Sequence, residues 1–77
     1  MKPWTIIFNN SRGNRDKFFE ILSQGELQVH EMVLLRRRGN QIDNSSLKDI
    51  PVYVAKIECN LETFGNLSEV LTGFSGV

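Results

Sequence analysis

The sequence predicts an α+β domain whose elements run β-α-β-β-α-β, and three patterns predict it. The stretch LKDIPVYVAKIEC (47–59) has the period of a strand. Tyr53, Ala55, Ile57 and Cys59 fall on one face, and Val52, Val54, Lys56 and Glu58 fall on the other. Two further segments, after Asn14 and after Asn60, repeat apolar residues at helical spacing. The opening run Trp4 to Phe8, WTIIF, is a short apolar stretch of strand formers, expected as a buried first strand.

The elements follow in order. NNSRGN (9–14) is a turn cluster, and Asn14 is the expected N-cap of a helix over RDKFFEILSQ, with Asp16 in its first turn. Phe18, Phe19, Ile21 and Leu22 form its expected buried stripe, and Gly25 ends it. Leu27 to Arg38 is the longest strand candidate. Its alternation fails where Met32 to Leu35 are all apolar, which predicts a bulge or bend there. RRRGNQIDNSSLKD then reads as a hairpin connection. In the strand that follows, Pro51 stands just ahead of the first residue that needs a ladder donor. Asn60 caps a second helix with Leu61, Phe64, Leu67 and Leu71 on its apolar stripe. Gly65 weakens that helix, Gly73 ends it, and Phe74 to Val77 is a last short strand. This order is the split βαβ plan of ferredoxin-like domains, an antiparallel sheet with helices packed against it.

Seventy-seven residues make a single domain, 1–77, with a thin stability margin. Forty per cent apolar residues exclude a disordered tail, and nine cations against nine anions leave no global field for a polyanion. The charge is nevertheless uneven, +2 over residues 1–50 and −2 over 51–77, so any polyanion contact must be local. One Cys and one His provide neither an internal disulfide nor a metal set, and no cofactor signature is present. Near the start no apolar run is long enough for a signal peptide or a membrane span, so a soluble cytoplasmic protein is expected.

Four pieces of the chain carry a family resemblance. Trp4 opens the first strand and a basic loop with Gly13 follows. GELQVHEMVLLRRRGNQ is a strand of mixed pattern that ends in a basic hairpin tip. IPVYVAKIE corresponds to a Phe-Pro-x-Tyr segment, and VLTGFSGV to a closing Gly-Val pattern. In this order and spacing the chain resembles the N-terminal (NGN) domain of the NusG family of transcription elongation and antitermination factors, including the RfaH-like operon-specific members. It departs from the family at Thr5, where an aromatic is usual, and at Val52, where Gly or Asn is usual. The second helix also lacks the family's tryptophan and the His-Thr-Thr set of the operon-specific members. The sequence ends at Val77, ahead of where the family's KOW domain would follow, so KOW-dependent functions are not implied.

The resemblance implies a non-enzymatic factor, nucleoid-associated during transcription, that grips the clamp helices of RNA polymerase's largest subunit. The matching positions are Phe8, Ile50, Pro51, Tyr53 and Ala55. Read without the resemblance, they are the core face of any strand packed on a helix. It also implies contact with single-stranded non-template DNA through Arg12, Asn14, Arg15 and Lys17, residue types suited to phosphates and unstacked bases. The plain alternative there is a solvated helix start. Arg36 to Arg38 point to alternate faces and serve best as an edge that discourages pairing. His30 has no acid or metal partner close in sequence, Cys59 reads as a small buried hydrophobe, and Trp4 as an anchor for the core or the sheet end.

Three alternatives stand beside this. One is a ferredoxin-like module that dimerises through its sheet or binds RNA, although IPVYVAKIE lacks the paired aromatics of an RNA-recognition strand. Another is a truncated NGN-like competitor that inhibits the full-length factor. The last is an enzyme resembling an acylphosphatase, for which NNSRGN has the residue types of an anion-cradling loop but nothing wider matches. Oligomeric state and recruitment sequence are not legible.

Overall fold

A computed structural model describes residues 1–37 and 50–77. The elements are β1 (Lys2–Asn9), α1 (Arg12–Ser23), β2 (Leu27–Arg37), β3 (Ile50–Cys59), α2 (Leu61–Val70) and β4 (Ser75–Gly76). They form a small α+β fold with a four-stranded antiparallel sheet in the order β2-β3-β1-β4. The expected connection over residues 38–49 lies outside the described residues.

Register fixes which side chains share a face. Ile6 stands opposite Ala55, Phe8 opposite Tyr53 and Trp4 opposite Ile57, while Met32 and Leu34 of β2 face Ala55 and Tyr53. Both helices cover this face. Phe18 of α1 stacks on Phe8 with centroids 5.1 Å apart, and Phe64 of α2 stacks on Trp4 at 3.9 Å. The core is the set of apolar residues where helices and sheet meet: Ile6, Phe8, Phe18, Ala55, Ile57 and Leu67 have almost no exposed surface. Removing so large a buried side chain as Phe8 costs about 3–5 kcal/mol. Trp4 also donates its indole N–H to the Cys59 carbonyl at 3.0 Å, which ties the start of β1 to the end of β3.

Several expectations are corrected. Ser11, not Asn14, caps α1: its hydroxyl accepts the Asn14 N–H at 3.2 Å, the helix begins at Arg12, and the first turn holds no acid. Ser11 is the better cap because an extended residue with a short hydroxyl leads directly into the helix. Phe19 does not join the buried stripe but is 50 % exposed, since Phe18 already fills the place above Phe8. Leu61 is also exposed, and the α2 stripe begins at Thr63 and Phe64. The β2 irregularity falls between Val29 and Glu31, earlier than expected. The run Met32 to Leu35 is continuous strand with apolar residues on both faces. WTIIF is likewise split by the pleat, with Ile6 and Phe8 buried and Ile7 on the open side.

The Asn60 cap is as expected, its side chain accepting the Thr63 N–H at 2.9 Å. Gly25 and Gly73 both adopt positive φ just beyond the helices. The last strand is shorter than Phe74–Val77, but backbone bonds between Thr5 and Val77 extend its pairing.

Candidate functional site

Three surfaces carry the candidate residues. The first is the start of α1. Arg12 and Arg15 stand three residues apart, about 60° around the helix, and Phe19 falls on the same stripe. Lys17 lies about 160° from Arg15, on the other flank, so the three cations do not converge. The half-buried Arg15 guanidinium donates to the Asn10 side-chain oxygen at 2.6 Å, while Arg12 is exposed.

Asn14 is a different matter. It is buried, and its amide nitrogen donates to the carbonyls of Asn9 and Thr72, each at 2.9 Å. Its oxygen accepts the Thr72 N–H at 3.0 Å and the Thr72 hydroxyl at 3.3 Å. A side chain so engaged joins the end of β1 to the loop after α2 and has nothing free for a base or an anion. Sequence alone shows a polar turn residue; the partner 58 positions away is a tertiary fact.

The second surface is the end of the helix-covered face where β1 stops and β3 begins. Phe8 and Ala55 are fully buried, so they support this surface from beneath without forming part of it. Pro51 and Tyr53 are partly buried, and the Pro51 carbonyl accepts the Asn10 N–H at 3.0 Å, joining the basic loop to β3. Ile50 begins β3. Opposite Tyr53, on β2, stands Leu34 with 52 % exposure. The Tyr53 ring lies 5.5 Å from Phe8, so its body is anchored while one side reaches solvent. Leu34 was absent from the expected set. Its signal was the broken alternation of Met32–Leu35, which sets apolar residues on both faces of β2.

The third surface is the face of the sheet opposite the helices, which no described element covers. Val33, Val54 and Ile7 form one apolar row across β2, β3 and β1, and Leu35 and Val52 form the next. Ile7, Val54, Leu35 and Val52, with Asn9, Gly73 and Ser75, line a shallow groove of about 540 Å³. Toward the other end of this face the residues turn polar. Lys56 lies 3.9 Å from Glu31 and His30 lies 3.6 Å from Glu58, both pairs solvent-exposed and therefore weak.

Burial at the end of β3 raises the Cys59 thiol pKa above its usual value, an effect partly offset by the positive chain terminus. A buried neutral thiol is a poor nucleophile. Among the described residues no group of three or more His, Cys, Asp or Glu could hold a metal ion. No helix among them is long and apolar enough to cross a membrane. These surfaces can bind, by apolar contact and by Arg hydrogen bonding. No protein-family model matches the chain, and no curated protein shows significant similarity to it.

Proposed function

We propose that this chain is a NusG-type NGN-like domain, ferredoxin-like in plan, that docks on the clamp helices of RNA polymerase and has no chemistry of its own. The observation that carries the proposal is exposed Leu34 beside the partly buried Tyr53 and Pro51, at the end of the helix-covered face. An anchored tyrosine with one free side, next to an exposed leucine, is the kind of surface an amphipathic helical hairpin tip engages. The ferredoxin-like plan is supported by the sheet order, in which β3 lies between β1 and β2, and β1 between β3 and β4. Contact with single-stranded non-template DNA belongs to Arg12 and Arg15, joined to the same corner through Asn10 and Pro51. Lys17 sits apart on the other flank of the helix, and Asn14 serves the fold. The factor would act by mass action: binding the closed clamp better than the open one shifts polymerase toward the closed state.

The test is co-elution of the tagged protein with purified RNA polymerase at low salt. Wild type should co-elute, and Tyr53→Ala and Leu34→Glu should each weaken binding at least about tenfold. The double change Arg12→Ala/Arg15→Ala should retain polymerase binding but flatten the salt dependence of DNA contact. A wild type that never co-elutes sinks the proposal.

A further inference from the structure

We infer that the uncovered face of the sheet is a self-association surface, closed by a second copy of this chain in a two-fold, face-to-face dimer. The face has the anatomy of an interface. Ile7, Val33 and Leu35 are 38 %, 42 % and 48 % exposed, and Val52 and Val54 fill the rows between them. The two rows they form with Asn9 and Ser75 contain no ionisable side chain, so they can leave water without desolvating a charge.

Shape and charge favour a second copy as the occupant. The apolar rows are made of Val, Ile and Leu on adjacent strands, with no aromatic ridge. They differ from the helix-covered face, where Trp4 and Phe8 meet Phe64 and Phe18. Such a surface suits another sheet stacked about 10 Å away. At the polar end Lys56 pairs with Glu31, and His30 lies beside Glu58. The whole chain has a formal net charge of zero. A copy therefore meets no net repulsion, whereas a strongly basic or acidic partner gains nothing here.

Three strands at the usual spacing, over about seven residues, give a footprint of roughly 15 by 25 Å, to which the two-residue β4 adds little. Two such faces bury about 800 Å², the area of a weak, transient interface. The dimer should accordingly be weak, with Kd on the order of 10 µM. A two-fold contact of this kind is isologous, the commonest closed arrangement. It leaves Leu34, Tyr53 and the start of α1 free, so it stands or falls independently of polymerase binding.

Sedimentation velocity of the wild-type protein from about 1 to 500 µM tests it, a range that brackets the expected Kd. The weight-average mass should rise from monomer to dimer across that range. Val54→Glu should hold the protein monomeric throughout, with circular dichroism confirming that it is folded. Leu34→Glu, on the opposite face, should dimerise like wild type. A wild type that stays monomeric at every concentration overturns the inference and leaves the face to a different protein. A dimer abolished by Leu34→Glu but insensitive to Val54→Glu overturns it equally, by placing the contact elsewhere. Should Val54→Glu fail to fold, Val54→Thr keeps the β-branched shape and should raise Kd several-fold. An unchanged Kd in that variant counts against the surface.

Discussion

Asn14 makes four hydrogen bonds through one side-chain amide, all with backbone or side-chain groups of Asn9 and Thr72. Asn14→Ala leaves several of those groups unpaired in a buried place and should cost about 2–3 kcal/mol, measured by urea denaturation. A recognition residue would instead lose affinity at unchanged stability. Cys59 offers a second test at this scale. Its thiol has no exposed surface and a pKa raised by burial. A thiol reagent should label it only at the rate of unfolding. Because the folded state holds the proton more tightly than the unfolded chain, the stability tied to this group is present below the unfolded pKa of about 9. It is lost as pH rises further, through the higher folded value. Cys59→Ala should therefore flatten the alkaline decline in melting temperature.

At the scale of elements, two glycines in and after α2 should respond in opposite directions. Gly65 is inside the helix, and a Cβ built there meets nothing within 4 Å. Gly65→Ala should thus stabilise by about 0.5–1 kcal/mol, raising the melting temperature by a few degrees. Gly73 has φ +69, and a Cβ there would run into the Asn9 side chain. Gly73→Ala meets both left-handed strain and a steric conflict, and should destabilise by about 1–3 kcal/mol in the same thermal melt. The pair separates helix propensity from backbone conformation within a single element and its exit. Strand β2 shows why periodicity alone misjudged its neighbourhood. An irregularity at His30 changes which face the following residues take, so Met32 and Leu34 turn toward the helices while Val33 and Leu35 turn away.

For the whole molecule, a single apolar cluster links both helices to three strands, from Phe18 and Leu67 through Ile6, Phe8 and Ala55 to Leu27. No second core exists among the described residues on which part of the domain could survive alone. Unfolding should therefore be two-state, with the near-ultraviolet signal of Trp4 and the far-ultraviolet backbone signal coinciding in denaturant. A near-ultraviolet transition that precedes the backbone one would mean that the Trp4–Phe64 corner loosens first. The two proposed surfaces lie on opposite faces of one sheet, one end-on beside α1 and one broadside. The proposed polymerase contact and the proposed self-contact would therefore not compete.

Local pattern suffices for the order of elements, the Asn60 cap, the Gly25 exit and the buried face of β3, whereas α2 ends at Val70, ahead of Gly73. These follow from local steric preference and from periodicities of 2 and 3.6, which a few neighbouring residues define. Which of those residues reach solvent is set by tertiary contacts. Phe8 and Ala55 were expected on a binding surface, yet each is fully buried. The Asn14 amide is taken up by Thr72, 58 positions away, a contact no local pattern reveals. The apolar run of β2 became two half-exposed patches only once the register with β3 was set. Exposure depends on which distant segment covers a residue, and pairing register and helix placement, not local pattern, set that cover.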